Sequence, residues 1–539
     1  MLFYLLLGVS AIIIIARRKL YPAPYPDIPY SEDSAKRISG DIPSLVLVIK
    51  STNEFSSSVF AITTQKLGTP ISQLLFPGIR KPLITLEDPR EIEDIVLRRN
   101  KEFDKAPTAI DIFSPMFPHA SISQYTTPKL KAQKRLWADV MSTEFLRKAA
   151  APNIHKATLE LLDLWELKAS TIYRGQAFKC HEDFRNAALD AIWVAVVGEE
   201  PGVTRYEINK LQDQVRGNTG SHNSLPPPRG VFLKEEVAYI GDTIARNSNS
   251  PVPKWSQKIE TYSSRYRKFR NTVTSEISLA MGKAVERFQR LELGKLEVDE
   301  LDTCMMDLVL RRQVVEAKKN DKPLADPTKD LNILDEMFVM LVGGHDSTAN
   351  ALTWFLPSVT DILETNIPYL DAACEEIVRL AGVAKGNLRQ AIVDTEILGY
   401  KIPKGAEIFM NYHIDRTPVP VARSKRSVGS QAAIDKHGDG LQSNAGHDLG
   451  DFELRRWLVN DKDTGKDVFN AYALPSIAFG GGYRGCAGRK LASMEIRIVV
   501  TLLILNFEFL ELPSEYRAMS ATEKIFRQPD FPYIRLRPL

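Results

Sequence analysis

One short stretch of this chain has the residues for redox chemistry. Residues 479–488 read Phe-Gly-Gly-Gly-Tyr-Arg-Gly-Cys-Ala-Gly, with Cys486 near the end. A cysteine binds iron as the thiolate, so its ordinary pKa of about 8.5 has to be brought down by the metal and by nearby donors. The segment from Ala487 to Phe507 has the pattern of a long apolar helix, which would set the sulfur beside free amides and a favourable macrodipole. Gly480, Gly481 and Gly482 allow a tight turn and a close approach of backbone to a flat macrocycle such as haem. Arg484 can reach a haem propionate through a charge-assisted bond. Gly488 would let the helix lie against the porphyrin, and Phe479 would keep water from the sulfur and tune the iron. The bland alternative is a glycine loop before a helix with an incidental buried cysteine.

A second stretch, Gly343-Gly344-His345-Asp346-Ser347-Thr348, lies inside a long helical pattern from Asn332 to Phe355. Each interior glycine costs a helix up to about 1 kcal/mol relative to alanine, so the pair needs a reason in packing or function. Here they would thin the helix so that a ligand can lie against it. An acid beside hydroxyls, Asp346 with Ser347, could relay protons. A plain glycine kink is the alternative, and His345 reads as a packed or solvated side chain. Glu376 and Arg379 stand one helical turn apart and can pair.

In this order the segments resemble the cytochrome P450 superfamily. Residues 479–488 fit Phe-x-x-Gly-x-Arg-x-Cys-x-Gly at all five fixed positions. Residues 343–348 are similar to the family's Ala/Gly-Gly-x-Asp/Glu-Thr-Thr/Ser, with Ser347 where threonine is usual. Serine keeps the hydroxyl but loses the methyl that fixes its rotamer. Glu376 and Arg379 match Glu-x-x-Arg, and residues 452–457 resemble Phe-x-Pro-x-Arg-Trp, with Leu454 in place of proline and Arg456 as third member of a buried charge network. The resemblance further places Arg389 as a second propionate partner. It places Lys134 at the arginine of a Trp-x-x-x-Arg motif whose tryptophan position holds Leu130. A solvated basic face is an equal reading of Lys134.

The resemblance implies a mainly α fold with a minor β-sheet, a single large domain over 41–539, and haem b with Cys486 as axial thiolate. It implies a monooxygenase inserting one oxygen atom from O2 into an apolar small molecule, with NADPH electrons delivered by NADPH–cytochrome P450 reductase. Asp346 and Ser347 would guide the protons. Lys134, Arg135, Arg489 and Lys490 could form a basic face for an acidic reductase surface. The region after Cys486 is most similar to fungal secondary-metabolism members, which implies a tailoring step. Two rivals remain: a haem-thiolate isomerase, dehydratase or peroxide-using enzyme that needs no reductase, and a membrane-bound haem sensor without catalysis.

The elements that must position these residues read mostly as helices: Pro89 to Arg99, Ala149 to Leu167 and Asp183 to Val197 have apolar residues at helical spacing. Ile397 to Phe409 reads as a hairpin with glycine and proline turns. Arg216 to Arg229 and Arg423 to Gly450 read as loose surface segments.

Bulk properties narrow the class. The chain has 539 residues, 44% hydrophobic and 25% charged, with a net charge of +3. No long basic tract suits nucleic acid. Four cysteines are too sparse for a disulfide framework and point to a reducing compartment. At the amino terminus, Leu2 to Ala16 is apolar and ends at Arg17-Arg18-Lys19. Positive charge after the apolar run favours an anchor over 1–21 with the body on the cytoplasmic side, over a cleaved signal peptide. The run is short of the roughly 20 residues that span a bilayer, a gap that snorkelling cations can close. Proline-rich residues 22–40 read as a stiff spacer behind that anchor. The expected location is the endoplasmic reticulum membrane, single-pass, with the catalytic domain facing the cytosol.

Overall fold

Helical spacing of apolar residues governs most of the backbone, and strands are few and short. The computed structural model describes residues 19–78, 80–217, 226–250, 252–293, 302–324, 326–355, 367–441 and 448–539. The helices that bear on the site are α1 (Pro89–Leu97), α2 (Pro128–Leu136), α3 (Ala151–Leu167), α4 (His181–Val197), α5 (Ser264–Glu292), α6 (Leu331–Phe355), α7 (Ile367–Ala381), α8 (Val428–His437) and α9 (Arg489–Asn506). The strands that bear on it are β1 (Ile71–Leu74), β2 (Leu83–Leu86), β3 (Phe103–Lys105), β4 (Gly386–Ala391), β5 (Thr395–Ile397), β6 (Tyr400–Ile402) and β7 (Glu407–Asn411). This is the expected mainly α fold with a minor sheet.

The backbone groups into two compact units. One holds residues up to Ala109, Val378–Cys486 and Ser520–Glu523; the other holds Ile110–Ile377, Ala487–Met519 and Lys524–Leu539.

The first unit is built on a five-stranded sheet in the order β1-β2-β7-β4-β3. Its β2–β7 pair is parallel, and its other pairs are antiparallel. The hairpin expected over 397–409 forms slightly earlier. β5 and β6 pair around Leu398 and Gly399, both at positive φ, and the chain then turns at Pro403–Gly405 into β7. Part of the proline-rich segment packs against the sheet. Gln73 in β1 accepts from the Tyr25 amide at 2.8 Å and donates to the Tyr25 and Ile28 carbonyls at 2.9 Å, so the segment is docked along the sheet. Prolines cannot offer amides to a strand, and a glutamine side chain supplies the missing complementarity. The stretch from Arg423 to Gly450 is not all loop either. Residues 428–437 form α8, with Ser427 as its N-cap, while 442–447 lie outside the described residues. A Ser-Gly-rich sequence hides the helix because tertiary contacts with α1, not propensity, hold it.

The second unit is a helical core. Phe117 stacks on Phe338 of α6 at 5.1 Å, and Phe269 of α5 meets Phe338 edge-on at 5.1 Å. Such geometry suits the opposed charges of ring faces and edges. α9 carries Glu495 into this core, where it is buried and lines a small cavity with Thr158, Phe184, Ala188 and Leu352.

Among the described residues no helix is long and apolar enough to cross a membrane. The anchor expected over 1–21 lies outside those residues up to position 18, as does 218–225 of the expected Arg216–Arg229 loop.

Burial pushes the Glu495 carboxyl from 4.5 up to about 8. The folded protein therefore keeps a proton there that the unfolded chain releases from pH 4.5 upward. The resulting stabilisation is full below that pH and is lost as pH rises through about 8. Glu495→Gln should show a thermal midpoint that gains on the parent between pH 5 and pH 8.5. Parallel pH profiles in calorimetry would rule this out.

Candidate active site

Cys486 closes a loop held by its own backbone. Its N–H donates to Phe479 O at 2.9 Å, Gly485 N–H to Gly482 O at 3.1 Å, and Gly480 N–H to Ile477 O at 2.8 Å. Phe479 is half-buried, and Gly488 is the N-cap of α9, so the sulfur precedes the helix by three residues. Cys486 is exposed, whereas Cys180, Cys304 and Cys374 are buried. Burial pushes the Cys304 and Cys374 thiols up to about 12 and raises Cys180 as well, so none of the three offers a thiolate.

The glycines of the loop answer to α1 as much as to any ligand. A Cβ at Gly481 would sit 2.6 Å from Leu97 Cδ2, and one at Gly482, at φ +59°, would sit 2.5 Å from the Val96 carbonyl oxygen. The end of α1 thus excludes side chains at two of the three positions. This adds a cause that the sequence reading, framed on a flat macrocycle, did not contain.

Beside this loop in the same unit stands a cation cluster. Arg389 in β4 is the direct cross-strand partner of Lys105 in β3. Like charges directly opposed in an antiparallel pair destabilise it, and both residues are buried, at 5% and 8% exposure. Arg484 lies 3.2 Å from Asp104 Oδ1. Burial first, then Arg484 and Arg389, push the Lys105 ammonium down to about 7, against the pull of Asp104. Burial also lowers Arg484, opposed by Asp104. Tyr412 belongs here too. Burial raises its phenol, moderated by Arg389, and its hydroxyl has no hydrogen-bond partner among the described residues. Three cations and a phenol around one carboxylate suit a ligand carrying two anionic arms, as haem does. The residues present fit that group.

Lys105, Asp104 and Tyr412 were not singled out from the sequence. The only local signal was Asp104-Lys105 ending a strand, and the pairing with Arg389 depends on sheet register.

In the second unit, α6 runs unbroken through the motif. The two glycines have different reasons. A Cβ at Gly344 would meet Ile192 Cγ1 of α4 at 2.7 Å, whereas nothing lies within 4 Å of one at Gly343. Gly344 serves helix packing, and the helix is thin on the Gly343 side. Ser347 donates its hydroxyl to Gly343 O, and Thr348 donates to Gly344 O at 3.0 Å. Asp346 pairs with Arg185 of α4, Nε to Oδ1 at 3.1 Å. The angle is poor for a hydrogen bond, so the contact is chiefly ionic. Arg185 also holds Glu182 at 3.0 Å, and Lys234 holds the other Glu182 oxygen at 3.0 Å. Burial works to raise Glu182, but Arg185 and Lys234 outweigh it and bring the carboxyl down to about 2. His345 is buried against Leu341 O, and burial drives it to about 4. It is a packed, neutral side chain.

Lys134 lies on α2 in the second unit, where its charge acts on Glu336 of α6. Lys490 donates to Met141 O at 3.5 Å, so the start of α9 adjoins the short turn 139–141 that follows α2. Glu376 and Arg379 are both buried on α7. Arg379 donates to the Leu449 and Asp451 carbonyls at 2.6 and 3.3 Å, and Arg456 donates to Asp448 O. These are structural ties around residues 448–451. A cavity of about 1140 Å³ in the second unit, near Lys156, Glu160 and Arg205, is lined by none of the expected site residues.

The Cytochrome P450 family model matches residues 357–415 and 450–534. The chain is 29% identical to the cytochrome P450 monooxygenase TRI13 of Fusarium sporotrichioides, covering 96% of this chain and 95% of that one. It is 27% identical to a cytochrome P450 monooxygenase of Pestalotiopsis microspora, covering 98% and 96%. The solved haem domain of cytochrome P450DA superposes with a TM-score of 0.63 at 16% identity, covering 96% of this chain and 98% of that one. This chain belongs to the cytochrome P450 superfamily. It is an oxidoreductase of the monooxygenase type, similar to fungal members. Membership implies in general a haem-thiolate iron, a reductase as electron source, O2 and a small-molecule substrate.

The cation cluster of this P450 has a measurable cost. Folded Lys105, at about 7, binds its proton less tightly than the unfolded residue at 10.5. Stability of the haem-free protein should therefore rise with pH between those values. Lys105→Met should flatten that rise, as should Arg389→Gln in part. Identical slopes for parent and Lys105→Met in thermal unfolding would contradict the assignment.

Proposed function

We propose that Cys486 is the axial thiolate of haem b, and that Arg389, Arg484 and Lys105 hold the two propionates. Phe479 and Gly488 flank the ring, and Lys134 is a further propionate candidate from α2. The observation that carries this reading is the gathering of buried Lys105 and Arg389 with half-buried Arg484, in the same unit as the one exposed cysteine. Among the described residues no cluster of three or more His, Cys, Asp or Glu could hold a bare metal ion. An iron at a lone sulfur needs its remaining ligands from a macrocycle.

Bound haem with a thiolate ligand supplies activation of O2, using NADPH electrons passed on by NADPH–cytochrome P450 reductase, and transfer of one oxygen atom to substrate. The chain's own residues do the rest. Arg185 holds the Asp346 carboxylate on α6, and Asp346 with Ser347 hands protons inward from the charged ladder of Lys234 and Glu182. Ser347 must let go of Gly343 O to take part. Gly343 leaves room on the helix face for an apolar substrate. Lys134, Arg135, Arg489 and Lys490 receive the acidic face of the reductase. The residues over 1–21 anchor the protein in the endoplasmic reticulum membrane with the body in the cytosol. The reaction is a tailoring oxidation of an apolar secondary metabolite.

The reduced, carbon-monoxide-treated protein should show the red-shifted absorbance of a thiolate haem, and Cys486→Ser should lose it. Absence from the parent, or persistence in the variant, sinks the reading. Turnover that runs on peroxide or needs no NADPH would favour the reductase-independent enzymes, and an intact spectrum without turnover would favour a sensor.

Proton delivery has its own test. Asp346→Asn should cut NADPH-coupled product formation by about 10²-fold, the usual worth of a placed acid or base. The reduced–carbon-monoxide spectrum should not change. Arg185→Gln should alter the pH profile of turnover without touching that spectrum. Wild-type coupling in both variants would remove Asp346 from the relay.

A further inference from the structure

The family model passes over residues 416–449, between its two matched blocks. Within that stretch the structure has α8, fastened to α1 at both of its ends. At the near end, Arg426 Nη1 donates to Asp88 Oδ1 at 2.8 Å, and Asp88 is itself the N-cap of α1, accepting from the Glu91 amide. Ser427 caps α8 by accepting from the Ser430 amide at 3.2 Å. Its hydroxyl also lies 3.1 Å from Glu91 Oε2 and 2.9 Å from Asp94 Oδ2. One hydroxyl proton serves one of those carboxylates at a time, and the Ser427 amide adds a bond to Glu91 at 3.2 Å. Gly429 packs so closely that a Cβ there would overlap Asp94 Oδ1. At the far end, Arg90 donates to Gly438 O at 2.8 Å and Asp439 O at 3.2 Å.

α1 needs these partners. Glu91 and Asp94 are buried on it, and so is Arg90. Buried charges without partners cost several kcal/mol each. The other end of α1 is the end that abuts Gly481 and Gly482 in the Cys486 loop. The contacts therefore run from Ser427 through Glu91 and Asp94, along one short helix, to Val96, Leu97 and the glycines.

We propose that residues 426–439 are a brace, and that Arg426 and Ser427 are positioning residues for the thiolate loop, acting through α1. A nine-residue helix moves as a rigid rod. Loosening its buried polar face shifts the carbonyl of Val96, against which Gly482 turns. The inference rests on the Cys486 reading only for its spectroscopic arm.

The test uses the full-length haem-loaded protein with Ser427→Ala, the conservative Ser427→Thr, and Lys436→Ala on the exposed face of α8 as control. Amide hydrogen exchange over 480–486 should quicken on the order of tenfold in Ser427→Ala, the scale of one lost buried hydrogen bond. The haem midpoint potential should shift, and part of the red-shifted carbon-monoxide band should be lost. Ser427→Thr should restore all three, and Lys436→Ala should leave them at parent values. Faster exchange confined to 427–441, with the loop and the potential unchanged, overturns the proposal. If Ser427→Ala does not fold, Arg98→Ala takes its place. Its exposed side chain bonds Asp94 and Gly429 O from outside, and the same readouts should move in the same direction by less. If the parent lacks a thiolate band, the Cys486 reading fails while exchange over 480–486 still decides the brace.

Discussion

Two cations set opposite each other across a sheet repel, and the unit around Lys105 and Arg389 must hold them there. Register does this. β3 is the edge of the sheet beside β4, and shifting it by one residue would turn Lys105 to the other face along with the buried Phe103. The hydrophobic demand of Phe103 therefore fixes a position that electrostatics alone would avoid. Arg484 adds a third positive charge from the Cys486 loop, and Asp104 answers it at 3.2 Å. A fold keeps such a local conflict when the site has a use for it, because consistency elsewhere in the unit supplies the stability to do so. Under the proposed reading the use is to receive the acidic arms of haem.

The same logic separates the two glycine motifs. Each reads in sequence as a place where a ligand comes close to backbone. In α6 the pair divides its work: Gly344 makes room for Ile192 of α4, and Gly343 leaves its own side of the helix bare. In the loop, Gly481 and Gly482 make room for the end of α1. Glycine marks close approach without saying what approaches. The identity of the neighbour is tertiary information.

That distinction sets how much was legible. The helices over 89–97, 181–197 and 331–355 follow from apolar spacing, and the loop around Cys486 from its five fixed positions. Arg389 and Arg484 could be named because motif and order point to them. Lys105 could not, since its importance lies in a cross-strand partner almost 300 residues away. α8 was hidden for a related reason. Its sequence of small and polar residues carries little helical pattern, and it is held by capping at Ser427 and by charged groups of a distant helix. The proline-rich segment reads as a stiff spacer because prolines signal extended chain, not whether that chain is docked. Gln73 decides that, from the strand it borders.

Charged residues in this P450 thus serve two ends that burial alone does not distinguish. Glu91, Asp94 and Arg90 are buried with partners of opposite charge in Arg99, Arg98 and Glu93, so their charges are neutralised locally and act as fasteners. Lys105 and Arg389 are as deeply buried, yet face each other. The first arrangement fits a structural element whose geometry must not vary. The second sets like charges against each other across one pair of strands, the arrangement that the proposed haem site would use. In the second unit Asp346 stands between these cases: paired with Arg185 at ionic distance but poor angle, and about a third exposed. A carboxylate held this loosely can exchange its partner for a proton donor at little cost, as a relay requires and a fastener does not.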